Sequence, residues 1–389
     1  MAARRACLST PMPPHRIRVT IDIEFVKRLP FLDWMRGLAL VIMIQCHAFN
    51  SFARMDVRSG GLYALSQFAG GMAGPLFLFM AGMTFAFLME SLEHREPIRR
   101  RRWFASLRRA GYILAVAFLI RITDWVTSWP HTGWREIIRV DILNSMGLAM
   151  LAFSVAALLD AGPRVRVVLL AAMVIAAVSP FVANLNWSAA PLLLHEYLAP
   201  GAGRGHFPFF PCASYIGFGM TAGAAVRRTG ADRMDRLMQW SVLFGGALIL
   251  GGQYASNLPY AVYPKSNFWT DSPTLVLIRV GISLVLLAGS YMWTEYCVGP
   301  GWSWVECLGK NSLMVYWVHL MLVYGAVTGP IQRALPIPPT VLATAAVTAM
   351  MVALSALWQW WKRRRAVRRA AANSRSPKDS TAPSPRPPE

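Results

Sequence analysis

Arg36 and His47 stand eleven positions apart in "LDWMRGLALVIMIQCHAFN", a stretch apolar enough to cross a bilayer. A neutral imidazole takes a proton from a hydroxyl or amine while that group attacks a carbonyl. A neighbouring carboxylate or amide sets its tautomer, and a nearby cation holds a phosphate or stabilises developing negative charge. Charged groups in hydrocarbon are costly and persist mainly where they face a protein interior or a watery cavity. On one helix, at about 100° per residue, Asp33, Arg36, His47, Asn50 and Arg54 fall near a single stripe. His47 then lies about 21 Å beyond Asp33, in the outer half of a hydrocarbon core about 30 Å thick. Such an order suits a donor loaded from the cytoplasm and an acceptor arriving from outside. A proton-coupled transporter could use the same histidine as a relay.

Other polar groups interrupt apolar segments. Arg121 and Asp124 in "LIRITDW" have salt-bridge spacing. Arg139, Asp141 and Asn144 in "RVDILNSMG" read either as a helix start or as substrate contacts. "LGKNSLMVYWVHLMLVYG" places Ser312, Tyr316 and His319 on one helical face, with Lys310 and Asn311 at its mouth. Lys265, Asn267, Trp269 and Asp271 in "PKSNFWTDSP" read as an interfacial aromatic belt or part of a substrate mouth. His195, Glu196 and His206 share one loop, but the imidazole spacing matches no standard metal motif, so no metal is expected. The chain has no P-loop, GxSxG or HExxH, so nucleotide-driven pumping and serine-hydrolase chemistry are unsupported.

The elements that must position these groups are membrane helices. Of 389 residues, 55% are hydrophobic and 15% charged, and mean hydropathy is +0.39. The expected class is all-α: a polytopic membrane protein with about ten transmembrane helices in one bundle. The apolar spans run at roughly 31–52, 68–92, 110–128, 141–160, 166–184, 209–226, 238–255, 273–294, 312–327 and 338–361. A basic arm (1–27) precedes this domain (28–361), and a basic, Pro/Ser-rich tail (362–389), expected to be disordered, follows it. The net charge of +20 sits in short clusters between spans, which argues against nucleic acid and for membrane orientation and anionic lipid. "HREPIRRRRWFASLRR", "GPRVR", "RRTGADRMDR" and "KRRRAVRR" follow even-numbered spans, which puts both termini in the cytoplasm. Residues 1–25 lack an apolar h-region and are no cleavable signal peptide. Gly70/Gly74 and Gly219/Gly223 have the GxxxG spacing of close helix packing. The five cysteines show no metal or CxxC spacing and read as packing residues and free thiols.

The first helix, with Asp, Arg-Gly and then His eleven after the Arg, resembles that of the acyltransferase-3 superfamily of membrane acyltransferases. "GPLFLFMAGMTFAF", "DILNSMGLAML", "FPFFPCASYIGFGM", "FWTDSP" and "LGKNSLMVYWVHL" are together more similar to the bacterial relatives of heparan-α-glucosaminide N-acetyltransferase. The resemblance spans about residues 28–330. It implies acyl transfer from cytoplasmic acetyl- or acyl-CoA to a sugar or glycan at the outer face of the bacterial inner membrane, through an intramembrane histidine. The lysosomal enzyme has its catalytic histidine in the first luminal loop, and "SFARMDVRSGG" has none; His47 instead matches the superfamily's histidine. The expected catalytic set is His47 as general base with Arg36 and Asp33. The substrate- and donor-binding candidates are Asn50, Asp141, Asn144, Trp269, Asn311 and His319. The expected partners are acyl-CoA, a sugar acceptor and membrane lipid, with pairing of two copies left open. The competing readings are a secondary transporter or flippase with a histidine proton relay, and a non-catalytic scaffold.

Overall fold

The computed structural model describes residues 29–129, 132–199, 207–260, 262–263, 265–298 and 301–375. The arm before Leu29, His206 and the tail beyond Arg375 lie outside the described residues. Thirteen α-helices and no strand form the described part. They are α1 (Pro30–Phe52), α2 (Gly61–Gly70), α3 (Ala73–Arg95), α4 (Arg99–Thr127), α5 (Ile142–Phe153), α6 (Ala161–Ala183) and α7 (Leu192–Leu198). The remainder are α8 (Phe209–Arg228), α9 (Met234–Ser256), α10 (Pro273–Met292), α11 (Trp304–Lys310), α12 (Ser312–Tyr324) and α13 (Ile337–Arg375). The all-α class is the one expected, because apolar backbone in lipid must satisfy its hydrogen bonds within each helix.

Each of the ten predicted spans overlaps helix, although the span at 68–92 crosses the turn between α2 and α3. Six helical segments are long and apolar enough to cross a membrane, and Ile142–Leu158 and Ser312–Tyr324 are shorter apolar helices. α1 and α9 are not among the six. Two boundaries differ from expectation. α4 starts at Arg99 rather than near 110, so "RRRRWFASLRR" is helix rather than loop. α13 continues to Arg375, through residues expected to be irregular. Arg, Lys and Ala are strong helix formers, and the preceding turns supply the nucleus.

Burial separates a central set of helices from an outer ring. The apolar windows of Gly61–Arg95 and α8 are 72% and 67% buried, whereas those of α4 and α13 are each 28% buried. α3 and α8 cross at glycine. A Cβ on Gly82 would strike the Ile216 carbonyl, and one on Gly219 would strike the Phe79 carbonyl. Without a strong hydrophobic drive between helices in lipid, such backbone approach is what holds them together. α1 meets α11 in the same way, with Gly37 against Val305 and Gly309 against the Asp33 carbonyl.

A candidate active site around His47 and His319

α1 and α12 bring the two histidines together. The His47 and His319 ring centroids lie 5.5 Å apart. His47 Nδ1 is 3.0 Å from the Tyr324 hydroxyl, and the Tyr316 ring lies 5.9 Å from that of His319. His319 is 0% exposed and His47 half-buried. His319 Nδ1 is 2.8 Å from the Val315 carbonyl, one turn back on the same helix. A carbonyl only accepts, so Nδ1 carries the proton and Nε2 presents its lone pair. That Nε2 is buried and meets no hydrogen-bond partner.

The turn carrying His47 is held firmly. Ser51 Oγ donates to the Val323 carbonyl at 2.8 Å. The Arg333 and Leu335 amides donate to the Ser51 and Phe52 carbonyls at 2.8 and 3.0 Å. Gln67 on α2 approaches Cys46, its amide 3.5 Å from the Cys46 carbonyl. Asn50 is exposed and accepts from the Tyr63 hydroxyl at 3.4 Å, and Arg58 donates to the Asn50 carbonyl at 2.8 Å.

Asp33 and Arg36, at the other end of the α1 stripe, pair with each other at 2.7 Å. Lys310 pairs with Glu306 at 2.6 Å. The Gly309 contact brings α11 against the Asp33 turn. Arg363 of α13 and Lys310 both act on Cys307, whose thiol burial pushes up. Arg36, Lys310 and Arg363 thus come from three helices to one end of the bundle.

The expected Arg121–Asp124 pair forms at 3.0 Å. Arg121 also reaches Asp141 at 3.3 Å and Glu136 at 3.1 Å. Asp141 and Asn144 form a reciprocal capping box at the start of α5. The Asn144 amide donates to the Tyr197 hydroxyl at 3.2 Å. Burial pushes the Tyr197 phenol up, against the opposing effect of that bond. The charges of Asp141, Arg121 and Asp124 reach Tyr316, beside His319. Asp141 and Asn144 thus serve first as the cap of α5 and its tie to Tyr197.

Other candidates stand apart. Asn311 is buried at the break between α11 and α12 and donates to the Ser355 carbonyl at 3.3 Å, a helix-to-helix tie. Trp269 is 59% exposed and packs edge-on against Phe268 and Phe68. Asp271 closes its own loop, accepting from Ser266 Oγ at 2.6 Å and the Asn267 amide at 2.8 Å. His195 stacks on Trp187. Sequence reasoning passed over Tyr324 and over Arg279 of α10. A lone arginine in "LVLIRVGISLVLL" is the same signal that singled out Arg36.

A family model described as heparan-alpha-glucosaminide N-acetyltransferase, catalytic, matches residues 28–259. No curated protein matches the chain. The matched segment includes His47 and ends before Arg279 and His319.

Proposed function

The chain belongs to the family of the heparan-alpha-glucosaminide N-acetyltransferase catalytic domain, and on that premise we propose that it carries an acetyl or acyl group from cytoplasmic acyl-CoA to a sugar or glycan at the outer face of the inner membrane. The observation that carries this reading is the His47–His319 pair: a half-buried imidazole on an apolar helix, bonded to a phenol and packed on a second, buried imidazole. His47 is the general base. It takes the acceptor's O–H or N–H proton as that oxygen or nitrogen bonds to the thioester carbonyl carbon. The carbonyl oxygen becomes an oxyanion, the C–S bond then breaks, and the departing CoA thiolate recovers the proton from His47. Tyr324 orients the His47 ring, and His319 backs it with a fixed tautomer.

Arg36, Lys310 and Arg363 form the donor mouth, and Asp33 holds Arg36 in place. Arg36 and Lys310 already have carboxylate partners, so CoA phosphates compete with Asp33 and Glu306. Binding should therefore weaken as salt screens the phosphates. Of the "RRRR" arginines, Arg99, Arg101 and Arg102 pair with Asp160, Glu96 and Glu93, so they too would exchange a carboxylate for a phosphate.

His47→Gln is the test. Glutamine keeps hydrogen bonding but cannot accept the proton, so transfer should drop by about 10²–10⁴-fold. Acyl-CoA binding, measured by calorimetry on folded protein, should persist, because Arg36 lies about three turns away. Wild-type transfer by the variant would remove His47 from the chemistry. The break at Asn311 between α11 and α12 favours one other reading, a transporter with a discontinuous helix. Absence of acetyl-CoA binding at every ionic strength, in nanodiscs, would select it.

A further inference from the structure

Arg279 lies within the bundle without a carboxylate beside it. It sits about 9 Å past the start of α10 by helical rise and is half-buried. Among the described residues it takes part in no ion pair, unlike Arg102, Arg121 and Arg164. Its guanidinium reaches the Tyr215 hydroxyl of α8, and its charge reaches Cys212. Tyr215 Oη is buried and makes no hydrogen bond beyond this approach, and the nearby Ser145 Oγ is buried beside the Cys212 thiol. Their residues are 2% and 1% exposed. On the other side Arg279 Nη2 faces bare backbone: a Cβ on Gly71 would come within 3.6 Å of it.

A partly buried guanidinium without a carboxylate and a buried phenol whose O–H donates to no acceptor are both unfavourable, and one ligand removes both penalties. An oxyanion accepts two N–H bonds from the arginine fork and a third from the phenol O–H. We propose that Arg279 and Tyr215 form an oxyanion subsite for a carboxylate, sulfate or phosphate group carried by the acceptor. The assignment to an acceptor rests on the transferase reading; the anion binding itself does not. Gln67 joins the subsite to the histidines. Its side-chain amide touches the main-chain carbonyl of Cys46, the residue before His47, and its main-chain carbonyl accepts from the Gly71 amide at the end of the same helix. An acceptor held at Arg279 by its acidic group thereby lies against α2, the helix that also touches the turn before His47. The donor's phosphates have their own cations at the opposite end of α1. Lipid is the weaker source, because Tyr215 is among the largest fully buried side chains.

The test uses full-length protein in nanodiscs of neutral phospholipid, titrated with sulfate, phosphate and acetate against chloride at matched ionic strength. Wild type should show a saturable rise in Tm with the oxyanions and none with chloride. Arg279→Gln should abolish that rise. Arg279→Lys, which keeps charge but loses the fork, should raise the half-saturating concentration by about tenfold. Tyr215→Phe should raise it several-fold. If Arg279→Gln does not fold, the folded Arg279→Lys protein decides the matter. An unchanged response in Arg279→Lys, or no response in wild type, overturns the subsite. Loss of the response when anionic phospholipid is included overturns the acceptor as its source. Acetyl-CoA binding is read on the same samples. If it is absent while the oxyanion response persists, the transferase reading fails and the anion site stands.

Discussion

The two ends of the bundle differ in how completely their buried polar groups are matched. Where α3 and α8 stop, Arg102 and Arg164, only 4% and 5% exposed, are both met by carboxylates. Glu93 lies 2.8 Å from Arg164 and 3.9 Å from Arg102, and also accepts from the Ala161 amide at 3.1 Å. Asp160 takes Arg99 at 2.6 Å, and Glu90 takes Arg228 at 3.1 Å. Single atoms there, Glu90 Oε2 and Arg102 Nε, lack partners, but each group is otherwise engaged. At the histidine end Arg121 is met by Asp124, Glu136 and Asp141, but His319 Nε2 is buried without a partner, Tyr215 Oη is buried with only a guanidinium beside it, and among the described residues Arg279 joins no ion pair. A network that neutralises itself clamps helices and leaves nothing for a ligand. Groups left unmatched in a buried place are what a substrate satisfies.

If that contrast holds, changes at one end should move stability and changes at the other should move transfer. The largest effect is expected from Glu93→Leu, which strands Arg164 and leaves Arg102 to Asp160 alone. Removing one partner from a buried ion network costs about 3–5 kcal/mol. Thermal unfolding in detergent should register a lowered Tm, with transfer per folded molecule within about twofold of wild type. A proportionate loss of transfer would make the clamp part of the site.

His319→Gln comes next. The amide can still bond the Val315 carbonyl, but the Nε2 lone pair is lost, and transfer should fall by about a hundredfold with Tm little changed. A matching collapse of Tm would make His319 a packing residue. Tyr324→Phe removes only the hydroxyl bonded to His47, so a roughly tenfold loss of kcat, about 1.4 kcal/mol, is expected with KM for acyl-CoA unchanged. Arg54→Gln should do least. Its 2.8 Å pair with Asp56 is exposed and screened, and such pairs contribute about 0–1 kcal/mol. A Tm shift beyond scatter would show that the α1 terminus depends on it.

Much of this arrangement was legible in one dimension. The Asp33–Arg36 and Arg121–Asp124 pairs form at i, i+3, and Asp141 caps α5, because these contacts lie within one or two turns. The expected close packing at Gly219 and Gly223 is present because a missing side chain is itself a sequence feature. The fate of "RRRR" was not legible. Basic residues between spans mark orientation, but whether they stay available depends on carboxylates contributed from α3 and the turn before α6. Continuation of α13 to Arg375 was missed because composition suggested a solvated tail, whereas a helix already nucleated extends readily through Ala and Arg.

The sequence alone determined the all-helical class, the stretches where apolar helices lie and the presence of costly polar groups within them. Those properties follow from bilayer thickness and helical period, which act along a single chain segment. Tertiary structure decided which of those groups are answered and which are left open. It set His47 against His319 and Tyr324, gave Arg102 and Arg164 their carboxylates, and left Arg279 with a phenol and bare backbone. Pairings between helices depend on rotation and close approach at glycine, and residues hundreds of positions apart carry no mutual register until the helices pack.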